Sequence, residues 1–358
     1  MKKVMVGMSG GVDSSVTALL LREQGYDVVG VTFRLWHSED EEEQSSCCSS
    51  DDVADAKSVC DTLGIPHYVF NYKELFRKKV VDYFVEEYQR GRTPNPCIVC
   101  NPTVKFKTLM DEANRQGAYY MATGHYARVS RDEEKAQYFI QRGVNERKDQ
   151  SYMLYRLPEE IVKRLILPLG AVEEKEQVRE IARAHHLGNA DRKDSQEICF
   201  IDDNYVDYLN RAGVHSQPGD FVDQEGKVLG QHQGLVHYTI GQRKGLGITF
   251  GKPVFVTKLD GETNQVTLGD NDALFTHEVR STGNVFVGRE DGRLPEELEG
   301  AEIFAKVRYS AQPAKAVISS CGKDEICVTF SEKQRAATPG QSIVFYQNNH
   351  VIGGGFIQ

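Results

Sequence analysis

The sequence predicts an α/β protein in which an N-terminal domain with a parallel sheet is followed by a small linking domain and a C-terminal β barrel. In the first half, short apolar segments alternate with segments of helical periodicity, which is the order of a parallel α/β sheet. From Gln217 onward glycines become frequent, long helical periodicity ends and short runs alternate as strands do. These runs are Val254–Leu259, Ile303–Tyr309, Ala314–Ser319 and Ile326–Ser331. We place the domains at residues 1–206, 207–276 and 277–358.

The predicted elements of the first half follow one another along the chain. Strands are predicted at Lys3–Met8, Asp27–Phe33, His67–Asn71 and Ala118–Ala122. Helices are predicted at Ser14–Gln24, Asp51–Leu63, Lys73–Arg90, Lys105–Gln116, Glu159–Leu167 and Glu173–Leu187. In the helix from Asp51, Cys60 recurs with apolar residues at helical spacing, so we expect it in the core. The last strand leads into Thr123, Gly124 and His125, and open α/β sheets bind ligands at such carboxyl ends.

Composition indicates the environment of the protein. The chain of 358 residues has a formal net charge of −9 and contains 8 cysteines. It has no run of the ~18 apolar residues that span a membrane and no signal-peptide pattern, so we expect a soluble, cytoplasmic protein without a membrane partner. In the cytoplasm we expect the cysteines to be reduced thiols, available for chemistry or metal binding, rather than a disulfide framework. The net charge alone does not favour an RNA-binding function. The acidic run Glu39–Glu43, just before Cys47 and Cys48, predicts a solvated loop.

The segment Met8–Ser15, which reads MSGGVDSS, lies between a predicted strand and a predicted helix. Backbone N–H groups and the helix dipole converge there, so the turn suits a phosphate chain. The alternative is an ordinary glycine-rich turn in which Ser14 caps the helix. A GxxxxGK[ST] motif is absent, which argues against a hydrolase that acts on a γ-phosphate. Asp13 is a candidate Mg²⁺ ligand, because Mg²⁺ prefers carboxylate and phosphate oxygens.

This segment resembles the SGGxDS pyrophosphate loop of the N-type ATP pyrophosphatases, and we call it the pyrophosphate loop below. The resemblance implies an enzyme that adenylates an oxygen and releases pyrophosphate. It also implies a domain like those of the adenine nucleotide α-hydrolases. The ATP contacts that it implies are Gly7, Met8, Ser9, Gly10, Gly11, Val12, Asp13, Ser14 and Gly124, with Phe33 beside the adenine.

Two thiols three positions apart, Cys97 and Cys100, lie in the stretch TPNPCIVCN, where prolines stiffen the loop. A CxxC pair alone is ambiguous between half a zinc site, a redox pair, Fe–S ligands and a thiol-transfer site. A further cysteine, Cys199, ends the polar segment KDSQEIC. It could face the first pair.

The motifs together resemble those of the tRNA-specific 2-thiouridylases over nearly the whole chain. The pyrophosphate loop, TPNPCIVCN, ATGHYA, KDQSY, KDSQEICF, YTIGQRKGLGI and TPGQS occur in the order seen in that family. The resemblance implies that Cys100 is the catalytic nucleophile and that Cys199 carries a persulfide and then forms a transient disulfide with Cys100. Many relatives have aspartate at position 97, so the role of Cys97 stays open. An alternative mechanism holds an Fe–S cluster on Cys97, Cys100 and Cys199.

The same resemblance implies an RNA substrate and partners. The target is the wobble uridine in the anticodon stem-loop of a tRNA, whose base must leave its stack to be reached. A persulfide donor, such as a cysteine desulfurase or a relay protein, would supply the sulfur, and ATP and Mg²⁺ the activation. The RNA contacts that it implies are Asn95, Pro96, Cys97, His125, Lys148, Asp149, Gln150, Arg308, Tyr309 and Gln341.

Two other functions compete with this one. A pyrophosphatase-loop ligase or amidotransferase would adenylate a small metabolite and would need neither Cys100 nor Cys199. A noncatalytic zinc or RNA-binding module would need no pyrophosphate loop. Cys100, Cys199 and the pyrophosphate loop therefore distinguish the three candidate functions.

Overall fold

The chain forms two compact units in a computed structural model, and each unit is described by itself. The structure describes residues 1–36, 50–192, 198–201, 204–248, 251–289 and 291–358. The first unit comprises Met1–Val81, Cys97–Asp202 and Asn348–Val351, and the second comprises Asp82–Pro96, Asp203–Gln347 and Ile352–Gln358. The predicted acidic loop, Cys47, Cys48 and the segment Lys193–Glu197 lie outside the described residues. In the described part of the chain, no helix is long and apolar enough to cross a membrane.

The helices are α1 (Val12–Glu23), α2 (Ser50–Leu63), α3 (Lys73–Phe76), α4 (Asp82–Gln89), α5 (Pro96–Cys100), α6 (Phe106–Arg115), α7 (Glu159–Val162), α8 (Lys175–Ala184) and α9 (Tyr205–Arg211). The strands of the first half are β1 (Lys3–Gly7), β2 (Asp27–Arg34), β3 (His67–Asn71), β4 (Tyr120–Ala122), β5 (Ala127–Asp132), β6 (Gln137–Arg142) and β7 (Leu165–Ile166). Those of the second half are β8 (Gly219–Val222), β9 (Val228–His232), β10 (Phe255–Asp260), β11 (Gln265–Gly269), β12 (Phe275–Phe286), β13 (Glu302–Lys306), β14 (Ala314–Ser320), β15 (Ile326–Arg335), β16 (Ser342–Gln347) and β17 (His350–Ile357). Two π-helical turns, Arg77–Val81 and Asn101–Lys105, precede α4 and α6.

The first unit contains the parallel sheet that the sequence predicts. Its strand order is β3-β2-β1-β4-β7, and all four pairings are parallel. Val4, Met5 and Val6 of the central strand β1 are fully buried, as expected where helices cover a parallel sheet. Helices α1, α2 and α8 share one apolar core with β1, and Cys60 on α2 lies in that core. The predicted fold class and the core position of Cys60 are confirmed.

Two predicted helices differ from the structure, and one hairpin was not predicted. The helix predicted at Glu159–Leu167 ends at Val162, because Arg164 donates hydrogen bonds to the carbonyls of Tyr119 and Ala118 and the following residues form β7. The helix predicted at Lys73–Arg90 is interrupted by the π-helical turn Arg77–Val81. Strands β5 and β6 form an antiparallel hairpin. Each of these two strands has six residues, which is too short for periodicity to distinguish a strand from a helix.

The second unit contains an antiparallel barrel and a separate mixed sheet, in which β11 and β8 pair in parallel. Strands β12, β15, β14, β13, β16 and β17 follow one another, and pairing of β17 with β12 closes them into a barrel. Ile303, Ile343 and Phe345 are buried in its core. A separate four-stranded sheet has the order β10-β11-β8-β9 and its own core around Phe221. The predicted barrel is confirmed, and the domain boundaries at 206/207 and 276/277 stay a prediction.

Candidate active site

The pyrophosphate loop joins the end of β1 to the start of α1. The hydroxyl of Ser14 donates to the Gly11 carbonyl at 2.9 Å and accepts the backbone N–H of Ser9 at 3.2 Å. Gly11 precedes α1 without a side-chain cap, so the first N–H groups of the helix remain directed at the loop. This is the arrangement that binds a phosphate at a helix N-terminus.

Gly10 is held from outside the loop. The side-chain amide of Asn189 donates to the Gly10 carbonyl at 2.7 Å and to the Ser15 hydroxyl at 2.9 Å. Gly10 has φ +76°, and a Cβ there would lie 2.7 Å from the Asp52 carbonyl oxygen. Arg192 forms ion pairs with Asp52 and Asp55 beside the same turn. Sequence reasoning missed Asn189 and Arg192, because nothing in the local pattern links them to a loop so distant in sequence.

A cavity of roughly 260 Å³ opens at the carboxyl ends of the strands in the first unit. Ten of the candidate site residues line it: Gly7, Met8, Ser9, Asp13, Ser14, Phe33, Gly124, His125, Gln150 and Cys199. Val31, Leu35, Lys105, Leu109 and Thr123 complete the wall. The structure therefore brings the pyrophosphate loop and one of the two candidate catalytic thiols to the same cavity. Gly10, Gly11 and Val12 are not part of the wall, and Val12 lies in the core.

Asp13, the candidate Mg²⁺ ligand, already has a cationic partner. The Lys175 ammonium group at the start of α8 lies 2.6 and 2.7 Å from its two carboxylate oxygens. The Tyr126 hydroxyl donates to the same carboxylate at 2.7 Å, and the Lys175 ammonium lies 5.5 Å from the centre of the Tyr126 ring. A Mg²⁺ ion on Asp13 would have to share the carboxylate with Lys175 or displace it. Sequence reasoning missed both Lys175 and Tyr126.

His125 enters the cavity wall as a neutral imidazole. Its Nδ1 lies 2.8 Å from the Thr123 hydroxyl oxygen, and its ring packs on Phe106. Burial and, secondly, the charge of Lys105 lower the pKa of His125 to about 3. At neutral pH the ring can therefore exchange hydrogen bonds with a base, but it offers no positive charge to an RNA phosphate.

Cys100 ends helix α5 and is only 6% exposed, and it is not part of the described wall of the cavity. Burial is the main influence that raises the pKa of its thiol to about 11, and the nearby Cys97 acts in the same direction. The charge of Lys105 and a hydrogen bond from the Lys105 backbone N–H act in the opposite direction. Cys97 is exposed, whereas Cys199 is partly buried beside the buried ring of Phe200.

The candidate RNA contacts fall into different surroundings. Asp149 is buried, and its carboxylate accepts hydrogen bonds from Gly143 N–H and from the Ser151 N–H and hydroxyl, so its side chain has a structural role. Gln150 exchanges two hydrogen bonds with the Tyr126 backbone, which aligns it with the cavity. The remaining positions are Asn95 and Pro96 before and at the start of α5, Lys148 in a turn, Arg308 and Tyr309 after β13, and Gln341 with its amide on the Thr93 carbonyl.

The described residues do not gather a metal-binding cluster. No group of three or more His, Cys, Asp or Glu side chains within them is arranged to hold a metal ion, and Cys97, Cys100 and Cys199 are all described. The described residues therefore lend no support to the Fe–S alternative, which stays a prediction.

Three family models match successive parts of the chain. The model described as tRNA methyl transferase HUP domain matches residues 2–203. A tRNA methyl transferase PRC-barrel domain matches residues 207–270, and an aminomethyltransferase beta-barrel domain matches residues 291–357.

Curated relatives resemble the chain over its whole length. The tRNA-specific 2-thiouridylase MnmA of Carboxydothermus hydrogenoformans is 51% identical, with 100% of this chain and 98% of that protein aligned. The protein of the same description from Clostridioides difficile is 48% identical, with the same coverage of 100% and 98%. Among solved structures, a 4-thiouridine synthetase in complex with RNA and bound ATP is similar at 18% identity and a TM-score of 0.35, covering 59% of this chain and 50% of that chain.

Proposed function

Because the chain belongs to the tRNA-specific 2-thiouridylase family, we propose that it uses ATP and two of its own thiols to replace the 2-oxygen of a tRNA uridine with sulfur. The observation that carries the proposal is the position of Cys199 in the wall of the cavity that the pyrophosphate loop also lines. A nucleotide bound by the loop would place its reacting phosphate in the same enclosed space as a sulfur atom.

The descriptions of the family models and of the relatives name different reactions, methyl transfer and thiolation. The contents of the cavity favour thiolation. A thiol and a pyrophosphate loop suit the activation of an oxygen followed by its displacement with sulfur. A small-metabolite ligase would need no thiol at that position.

In the first step that we propose, the carbonyl oxygen of the uridine attacks the α-phosphate of ATP and pyrophosphate leaves. The N–H groups at the start of α1 and in the pyrophosphate loop receive the pyrophosphate charge. Transfer of AMP turns a poor leaving group into a good one. Mg²⁺ bound with ATP would neutralise charge on the phosphates, and Asp13 would face it while held by Lys175.

In the second step a persulfide on Cys199 attacks C2 of the uridine, and AMP leaves with the original oxygen. The thiolate of Cys100 then attacks the Cys199 sulfur. The bond to the outer sulfur breaks, the thiouridine leaves with that sulfur, and a Cys100–Cys199 disulfide remains for an external thiol to reduce. A persulfide donor protein loads the next sulfur onto Cys199.

Anaerobic reconstitution tests the proposed function. The chain is incubated with ATP, Mg²⁺, a persulfide source and unmodified tRNA, and nucleosides are identified by mass spectrometry. We expect 2-thiouridine at the wobble position together with AMP and pyrophosphate. If ATP is cleaved with a small acceptor while the tRNA stays unmodified, the small-metabolite ligase is the better assignment.

We propose in addition that Arg308 binds an RNA phosphate. Its Nε is buried and has no hydrogen-bond partner, and its side chain lines a second cavity of roughly 540 Å³ in the second unit. Lys315, Arg335 and Glu332 line the same cavity, so its wall carries three cations and one carboxylate, and Lys315 also pairs with Glu302 at 3.1 Å. A buried guanidinium nitrogen without a partner costs free energy that an anionic oxygen would recover.

Arg308→Ala is therefore expected to weaken tRNA binding about tenfold and to lower the slope of log affinity against log salt concentration by about one. Fluorescence anisotropy with labelled tRNA across a salt series measures both. Arg289→Ala is the matched control, because Arg289 is an exposed arginine of the same unit that pairs with Asp291 at 3.1 Å. If Arg308→Ala and Arg289→Ala had the same tRNA affinity and the same salt slope, Arg308 would not bind an RNA phosphate.

A further inference from the structure

The buried side chain of Asn189 contacts the pyrophosphate loop from a segment far along the chain. Only 5% of the residue is exposed, and its amide nitrogen lies 2.7 Å from the Gly10 carbonyl oxygen and 2.9 Å from the Ser15 hydroxyl oxygen. Asn189 is not part of the described wall of the cavity, so any effect on a bound nucleotide must act through the loop. The reaction proposed above uses the N–H groups of that loop and leaves Asn189 without a part.

Both loop atoms can only accept a hydrogen bond from Asn189. The Gly10 oxygen is a carbonyl, and the Ser15 hydroxyl donates its one hydrogen to the Gly11 carbonyl at 3.1 Å. The two N–H bonds of the amide therefore go to two acceptors, which fixes the orientation of the amide. Its Oδ1 is buried without a hydrogen-bond partner among the described residues. Because an unpaired buried oxygen costs free energy, the two donated bonds are what account for an asparagine at this position.

The hydrogen bond from Asn189 sets the orientation of the peptide group between Gly10 and Gly11. Gly10 has φ +76°, and glycine is the residue with the most backbone freedom, so a contact from outside the turn restricts it. In a trans peptide the C=O and the N–H point in opposite directions. With the Gly10 carbonyl held on Asn189, the Gly11 N–H points away from Asn189, and it has no backbone acceptor in the described part of the chain. The Ser9 N–H, in contrast, is already taken by the Ser14 hydroxyl at 3.2 Å.

We propose that Asn189 is a positioning residue for phosphate binding: by holding the Gly10 carbonyl, it directs the Gly11 N–H at an oxygen of the ATP phosphate chain. Arg192 supports the same carbonyl, because its guanidinium lies 3.5 Å from the Gly10 oxygen and pairs with Asp52 and Asp55 on α2. The inference rests on the proposed function in taking the pyrophosphate loop as the phosphate site.

Two substitutions of Asn189 remove the donated bonds in different ways. Asn189→Asp keeps the shape of the side chain and replaces the donor with an acceptor, whereas Asn189→Leu removes the donor without adding a charge. Calorimetric titration of the full chain with ATP and with adenosine measures the two affinities. We expect both variants to bind ATP at least about tenfold more weakly than the wild type, because a hydrogen bond to a charged phosphate oxygen is misaligned. Adenosine, which has no phosphate, should bind with wild-type affinity.

Asn284→Asp is the matched control. Asn284 in the barrel is 6% exposed, and its amide donates to the Ser281 carbonyl at 3.1 Å, so the same change removes a comparable buried hydrogen bond. Thermal unfolding should show a similar loss of stability in Asn189→Asp and Asn284→Asp. Asn284→Asp should nevertheless keep the wild-type affinity for ATP.

Three outcomes would overturn the inference. If Asn189→Leu bound ATP as tightly as the wild type, a loss in Asn189→Asp would come from its added charge alone. An equal loss of ATP and adenosine affinity would indicate a general change in the fold rather than a lost phosphate contact. A wild-type chain that bound no ATP would refute the nucleotide site itself, and with it both this inference and the proposed function. The titrations use neither tRNA nor a sulfur donor, so a failure of thiolation alone would be seen separately.

Discussion

Replacing Cys100 with serine is expected to lower the rate of 2-thiouridine release at least about a thousandfold. It is also expected to leave the tRNA covalently attached to Cys199. In the proposed reaction the Cys199 persulfide can still displace AMP in this variant. The resulting bond between Cys199, the outer sulfur and uridine C2 then has no internal thiolate to cleave it. Non-reducing gels should show the adduct, and an added small thiol should release thiouridine from it.

Cys199→Ser separates the two roles. This variant cannot carry the sulfur, so it should form neither thiouridine nor adduct, although ATP should still bind because the pyrophosphate loop is unchanged. The double variant should be no less active than Cys199→Ser alone, since residues that act in one sequence of steps are not additive. Cys321→Ser, which removes an exposed thiol in the barrel, is the control and should keep full activity. An adduct on Cys199→Ser, or its absence on Cys100→Ser, would reverse or refute the assigned order.

Gly124→Ala is expected to weaken ATP binding about a hundredfold or more and to lower the free energy of unfolding by about 1–3 kcal/mol. A Cβ at position 124 would lie 2.8 Å from the carbonyl carbon and the Cβ of Asp13 and 2.9 Å from the Ser14 backbone nitrogen. These are mostly backbone atoms at the start of α1, so relief of the clash must move the turn that we assign to the phosphates. Calorimetric titration with ATP and thermal unfolding measure the two effects.

Gly188→Ala is the matched substitution for that experiment. A Cβ at Gly188 meets nothing within 4 Å, and no left-handed φ is required there. We expect wild-type ATP affinity and nearly unchanged stability. If Gly124→Ala bound ATP as tightly as Gly188→Ala, the turn at Asp13 and Ser14 would not form part of the nucleotide site.

The parts of the site that lie in continuous motifs could be predicted from the sequence. Met8–Ser15 carries its own information, because glycines, a preceding apolar strand and a following helix are all local features. The same holds for Gly124 at the end of a strand, whereas Cys97 and Cys100 lie outside the described wall of the cavity and their roles stay a prediction. The parallel sheet and the barrel followed from periodicity in the same way.

Contacts between distant segments could not be predicted. The ion pair between Lys175 and Asp13 joins residues 162 positions apart, and the Asn189 amide reaches the Gly10 carbonyl across 179 positions. Arg164 turns a predicted helix into an edge strand through carbonyls more than forty residues earlier. Each of these polar contacts forms only because the fold brings two distant segments together. No local sequence pattern shows which distant segments will meet.

By itself, then, the sequence determined the class of fold and the loop between β1 and α1, because both depend on neighbouring residues and on strand or helix periodicity. The catalytic roles of Cys100 and Cys199 stay a prediction that rests on the family resemblance. Only the tertiary structure decided that the loop and Cys199 share one cavity and that Asp13 is held by Lys175. The physical reason is the range of the interactions. Backbone conformation responds to the nearest residues, whereas burial and charge act through space between segments that only the packed chain brings together.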